Sequence, residues 1–283
     1  MIFWIASYPK SGNTWLRALL SSYFYSENGV FNQNLLKNIA QFPEKRYFGE
    51  FNYDAKIVTD TSKFWIKAQE KINLNNKLNI FKTHNILGSI NNNNFTNKKN
   101  TVGAIYIVRD PRNVLTSLQN HYELSKDEAL KFMLSEKKYI YDYRVKNDFS
   151  DFQFISSWEK NYKSWINQKI FPVKLIRYED LSIKTLEILA EIIEFIQNIT
   201  QEKKDFNNLK AQNCVKSTNF ENMKNIEQNS GFIESVLSKN DSKKIPFFHL
   251  GPKNDWQSIF DKNYQKKLKL IFENNLRELN YTV

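Results

Sequence analysis

The chain has 283 residues, 41% apolar and 15% aromatic, with a formal net charge of +11 and a pI near 9.4. That supply of core-forming side chains excludes intrinsic disorder, and the basic balance favours anionic partners such as polyphosphorylated nucleotides, acidic glycans or nucleic acid. The single cysteine, Cys214, excludes an intramolecular disulfide, and the opening apolar run is too short for a membrane span or a signal segment, so a cytoplasmic location is expected.

Residues 2–6 (IFWIA) form a short continuous apolar run, the pattern of a buried parallel strand. A polar loop follows, and a helix begins near Thr14, with Leu16, Leu19, Leu20, Tyr23 and Phe24 at helical spacing. The stretch to about residue 78 is mixed and polar and is read as helices and loops. Residues 78–82 (LNIFK) predict a second strand, ending at Thr83-His84. The asparagine run at 91–94 reads as a solvated loop. Residues 101–108 (TVGAIYIV) give the clearest buried strand, followed by Arg109-Asp110-Pro111 and a helix to about residue 121. Another strand covers 173–176 (VKLI) and ends at Arg177-Tyr178-Glu179-Asp180. A helix with Leu186, Leu189, Ala190 and Ile193 on one face comes next, and a final helix carries Tyr264, Leu268, Ile271, Phe272 and Leu279.

Strands alternating with helices predict an α/β fold of three layers, a central parallel sheet flanked by helices, with a phosphate-binding loop after the first strand. No repeat, linker or composition break divides the chain, so one domain over 1–283 is expected.

The segment Ser7-Tyr8-Pro9-Lys10-Ser11-Gly12-Asn13-Thr14-Trp15 carries the most chemistry. It sits where unpaired backbone N–H groups and the helix dipole favour an anion. Gly12 permits close backbone approach, Ser11, Asn13 and Thr14 add hydrogen-bonding side chains, and Lys10 adds charge. It is not the triphosphate loop G-x-x-x-x-G-K-[ST], because the first glycine is missing and Lys10 precedes Gly12. Arg109 stands at the end of a predicted parallel strand, where open α/β sheets bind ligands, and its planar fork suits phosphate.

The string YPKSGNTW resembles the 5′-phosphosulfate loop of the sulfotransferases that use 3′-phosphoadenosine 5′-phosphosulfate (PAPS), usually YPKSGTTW, with Asn13 as the one departure. Other stations follow in order. IYIVRDPRNVLTSLQNHY (105–122) resembles the family's 3′-phosphate motif, placing Arg109 and Ser117 on that group. Phe81-Lys82-Thr83-His84 resembles K-x-H, whose histidine is the catalytic base in the family. Arg177-Tyr178-Glu179-Asp180-Leu181 resembles Y-E-D-[LM], with the tyrosine near adenine. Residues 217–223 are similar to T-S-F-x-x-M, placing Thr218 and Phe220 on the base. His249-Leu250-Gly251-Pro252-Lys253-Asn254-Asp255-Trp256 resembles R-K-G-x-x-G-D-W, which closes over the 3′-phosphate. Here His249 and Leu250 replace the usual Arg and Lys, and Asn254 replaces a glycine, so Gly251 and Lys253 are the remaining candidates.

The resemblance implies a PAPS-dependent sulfotransferase that moves a sulfuryl group to a hydroxyl or amine of a small alcohol, glycan or lipid by in-line displacement. Its product would be 3′,5′-ADP. His84 would be the base, Lys10 would stabilise the leaving oxygen, and Lys82, Thr14, Trp15 and the loop N–H groups would surround the phosphosulfate. No metal, nucleic-acid partner or membrane span is expected. Aromatic residues between 122 and 157, namely Tyr139, Tyr141, Tyr143, Phe149, Phe152 and Phe154, are candidates for the acceptor side. Two other readings compete. A Mg²⁺-ATP-dependent kinase or NTPase would need a G-K-[ST] loop and a strand-end carboxylate. A non-enzymatic polyanion binder would need clustered rather than scattered basic residues.

Overall fold

Side chains alternate across the two long central strands, and that alternation builds the layers. The computed structural model describes residues 1–143, 145–202, 204–238 and 243–283. Its first half runs β1 (Ile2–Ser7), α1 (Asn13–Tyr25), β2 (Ala40–Gln41), α2 (Trp65–Asn73), β3 (Asn79–Thr83), β4 (Ser89–Ile90), β5 (Asn93–Asn94), β6 (Thr101–Val108), α3 (Pro111–Tyr122) and α4 (Lys126–Leu134). The second half runs β7 (Tyr139–Ile140), β8 (Gln153–Phe154), α5 (Trp158–Ile166), β9 (Val173–Arg177), α6 (Tyr178–Ile183), α7 (Thr185–Thr200), α8 (Asn208–Ser217), α9 (Phe220–Ser230), β10 (Val236–Leu237), β11 (Lys244–Ile245), α10 (Trp256–Ile259) and α11 (Lys262–Glu278).

The main sheet has the order β2-β3-β1-β6-β9, and all its pairings are parallel. Ile2, Trp4 and Ala6 of β1 join Ala104, Tyr106 and Val108 of β6 on one face, against Val114 and Leu118 of α3, Trp158 and Trp165 of α5, and Phe272 of α11. Phe3, Ile5, Ile105 and Ile107 face the other way, against Leu16 and Leu19 of α1, Leu189 and Ile192 of α7, and Cys214 of α8. Each large side chain fully buried in these layers contributes roughly 1.5–3 kcal/mol. Cys214 is a buried core residue, and burial pushes its thiol up to about 11.

Two local readings change. The asparagine run is a tight hairpin rather than an open loop: β4 pairs antiparallel with β5, and Asn91 and Asn92 take φ of 48° and 64°. Asparagine tolerates these left-handed angles, which a two-residue hairpin turn demands. The mixed stretch before residue 78 also contributes an edge strand, β2, too short to leave a period in the sequence. Because the sheet is parallel, β1, β3, β6 and β9 end on one edge, with Ser7 beside Ile107 and Val108 beside Arg177.

Candidate active site

That edge opens into a cleft of about 970 Å³. Its floor is the loop between β1 and α1. Gly12 takes φ of 100°, and a Cβ there would stand 2.5 Å from Cδ2 of Tyr178. The glycine therefore supplies a left-handed turn and room for a ring at once. Tyr178 fills that room, lies edge-on to Trp15 at 5.8 Å, and carries the Arg109 guanidinium 4.3 Å above its face. Arg109 Nη1 donates to the Lys10 carbonyl and to Ser117 Oγ, both at 3.2 Å. Its Nε is buried without a partner. Thus Lys10, Gly12, Arg109, Ser117 and Tyr178, far apart in sequence, form one contact set.

Asp110 does not pair with Arg109. Its Oδ1 caps α3 by accepting from the Arg112 amide at 2.9 Å, and Oδ2 accepts from Arg112 Nη2 at 2.7 Å. The Arg112 guanidinium in turn lies 4.2 Å from the Trp256 ring.

His84, half-buried at the end of β3, is held from behind. Its Nδ1 lies 2.8 Å from the Ser7 carbonyl, so Nδ1–H donates there and Nε2 keeps the lone pair. The His84 amide donates to Gln153 Oε1 at 2.7 Å. Its carbonyl accepts from Asn161 Nδ2 at 3.0 Å. Burial, and next the Lys82 ammonium, hold the imidazole down at about 3. It is therefore neutral at pH 7 and, in this setting, a weak base. Lys10 Nζ lies 3.5 Å from His121 Nδ1 and 4.0 Å above the Phe247 ring. Burial lowers this ammonium to about 8, partly opposed by the Glu234 carboxylate.

Several expected contacts take other forms. Asn13 turns its amide inward, where Nδ2 donates to the Ile5 carbonyl at 3.0 Å and Ser7 Oγ at 3.1 Å, so it braces the loop. Ser11 is fully buried, its hydroxyl has no partner, and it does not line the cleft. Lys253 is exposed and lies outside the cleft wall, whereas Gly251, Pro252 and Asn254 form part of it. Asn254, the departure from glycine, stitches the closing loop to α3. Its Oδ1 accepts from Thr116 Oγ1 at 2.6 Å, and Nδ2 donates to Ser117 Oγ at 3.1 Å. Gly251 takes φ of 53°, and a Cβ there would lie 2.2 Å from the Phe220 ring. Thr218 lines the cleft, but its hydroxyl donates to the Cys214 carbonyl at 2.8 Å. Of the aromatic set between 122 and 157, Tyr141 and Tyr143 reach the cleft. Phe152 is core, stacked on Trp65 at 5.6 Å.

Sequence reasoning missed Arg17, His121 and Glu234. Arg17 had a signal, the one charged residue in α1, three residues past Thr14. His121 could be read only as one more polar residue near the end of α3. Glu234 lies in an aperiodic stretch and had none. Among the described residues no cluster of His, Cys, Asp and Glu could hold a metal ion, and no helix is long and apolar enough to cross a membrane.

A strand-end cleft where a helix-opening loop, a guanidinium and a histidine converge is a site for an anion in an α/β fold. The family model for the sulfotransferase domain matches residues 2–280, and the chain belongs to the sulfotransferase family, as a transferase enzyme. It is 23% identical to rat sulfotransferase 1A1 over 259 residues, covering 90% of this chain and 78% of that one. Against Arabidopsis thaliana cytosolic sulfotransferase 15 it is 24% identical over 277 residues, covering 96% and 71%. Among solved structures, mouse sulfotransferase SULT7A1 complexed with PAP superposes with a TM-score of 0.54 at 18% identity, covering 98% of this chain and 84% of that one. Retinol dehydratase with retinol and PAP gives 0.56 at 17% identity, covering 97% and 81%.

Proposed function

We propose that this sulfotransferase is a single-domain cytosolic enzyme that takes its sulfuryl group from PAPS, releases PAP (3′,5′-ADP), and sulfates a hydroxyl or amine of a small-molecule or glycan acceptor. The observation that carries the donor assignment is the convergence of the loop and Arg109: a guanidinium with an unpartnered Nε, stacked on Tyr178 and bonded to Ser117. A fork of that kind beside a helix N-terminus suits a nucleotide with phosphates at both ends. PAP in the solved relatives' structures supports the same donor.

In this reading the 5′-phosphosulfate lies on the loop N–H groups and Thr14, and the 3′-phosphate lies between Arg109, Ser117 and the Gly251–Asn254 turn. Tyr178, Trp15, Thr218 and Phe220 border the adenine. His84 Nε2 takes the acceptor proton as the acceptor oxygen or nitrogen bonds to sulfur. The bond from sulfur to the bridging oxygen breaks, and Lys10 meets the charge left on that oxygen. Lys82 faces the sulfuryl oxygens. The bound anion raises His84 from its low value, because negative charge beside an imidazole favours protonation. Most of the rate then comes from positioning and preorganised charge.

Calorimetry with 3′,5′-ADP against 5′-AMP tests the donor. A charged hydrogen bond of ~1.5–3 kcal/mol predicts a preference of roughly 10–100-fold for the diphosphate. Arg109→Ala should erase it. Equal binding of both nucleotides by the unaltered protein would sink the assignment.

A further inference from the structure

Two members of one buried ion cluster in the cleft, Glu234 and Arg17, have no part in the scheme above. Glu234 precedes β10, and its side chain is 19% exposed. Its Oε2 accepts from Thr14 Oγ1 at 2.6 Å. Its Oε1 accepts from Lys82 Nζ at 3.2 Å and makes a close ion pair with Arg17 Nη1. The Lys82 and Arg17 charges, with the Thr14 hydroxyl, hold this carboxylate well below its usual range despite burial.

Arg17 is fixed for this contact. Its Nε donates to the Ile39 carbonyl at 3.1 Å, and Nη2 donates to Leu36 O at 3.0 Å and Ile39 O at 2.7 Å. These bonds orient the guanidinium, leaving Nη1 aimed at the cleft. A carboxylate and a sulfuryl or phosphoryl group present similar oxygens to such donors. Thr14 and Lys82 are also the two side chains assigned above to the phosphosulfate.

We propose that Arg17 is a donor-binding residue, and that Glu234 occupies the phosphosulfate place as an internal anion until PAPS displaces it. This rests on the reading of the cleft as the donor site. Two anions cannot share Thr14, Arg17 and Lys82, so the donor binds only when the Glu234 carboxylate leaves. Ile233, Ser235 and Val236 line the same wall, so Glu234 sits on a segment that borders the cleft. The Glu234 carboxylate thereby keeps two buried cations paired until the donor arrives. The donor, once bound, inherits an arginine that is already oriented.

The test is calorimetric, with PAP and inorganic pyrophosphate titrated in parallel into the unaltered protein, Glu234→Gln, and Glu234→Gln combined with Arg17→Met. If the internal anion fills the site 90–99% of the time, removing its charge tightens apparent binding roughly 10–100-fold. Glu234→Gln should gain that much for both ligands, and the added Arg17→Met should cost it again. Glu234→Gln binding pyrophosphate no more tightly than the unaltered protein overturns the displacement. Unchanged affinity on adding Arg17→Met overturns the role of Arg17. Loss of PAP binding alone, with the pyrophosphate gain intact, counts against the PAPS assignment and leaves the displacement standing.

Discussion

Gly12→Ala is the sharpest probe of how the loop is built. The substitution has two separable costs. An alanine at φ of 100° carries a left-handed penalty of roughly 1–2 kcal/mol. Its methyl would also stand 2.5 Å from Tyr178 Cδ2 and 3.2 Å from Ile107 Cδ1. Tyr178 is wedged between Trp15 and Arg109, so it cannot give way freely, and overpacking of this kind costs about 1–3 kcal/mol. The sum, about 2–5 kcal/mol, corresponds to a Tm lower by roughly 3–8 °C for a chain of this size. Differential scanning calorimetry reads it directly. In a Tyr178→Ala background the packing share vanishes and the backbone share stays, so adding Gly12→Ala there should lower Tm by less than it does in the unaltered protein. The double variant should also bind PAP poorly, because the ring under Arg109 is gone. A Gly12→Ala protein that melts with the unaltered one would refute the account of both costs.

Three further outcomes follow from the protonation chemistry. His84→Ala should lower kcat by ~10²–10⁴-fold while leaving the Kd for PAP nearly unchanged, and steady-state kinetics beside calorimetry would separate the two; a normal kcat would remove His84 from the base role. Lys10, lowered by burial to about 8, is charged below that pH and loses its charge as pH rises through it. PAP affinity should therefore fall above about pH 8, and Lys10→Arg should abolish that fall. Because burial and the Lys82 ammonium hold the His84 imidazole at about 3, kcat/KM for PAPS, which reports the free enzyme, should show no acid limb near pH 6.5.

The strand cores were legible because Trp4 and Ile5, or Ile105 and Tyr106, are apolar whichever face they meet, and continuous apolar runs need no partner to be recognised. The loop was legible because its residues are contiguous. What escaped depended on contacts between distant segments. Asn13 was read as a ligand donor, but only the folded sheet supplies the Ile5 carbonyl that draws its amide inward. Lys253 was read as a 3′-phosphate partner, but the turn from Gly251 to Lys253 points it outward, while Asn254, whose role no spacing announced, joins the loop to α3. His84 was read as a base, but only the fold reveals that burial, and next Lys82, hold its imidazole down at about 3. Ala40–Gln41 had no periodicity to show, since a two-residue strand exists only through its pairing with β3.

The neighbouring charges Arg109 and Asp110 would cancel in any tally along the chain, yet they do not meet. Asp110 gives both oxygens to Arg112 beneath Trp256, which insulates an acidic residue one position away from a guanidinium kept for something else. Electrostatic identity at this edge is thus decided by which arginine the aspartate chooses. Swapping that choice would quench the cleft without altering the protein's net charge by a single unit.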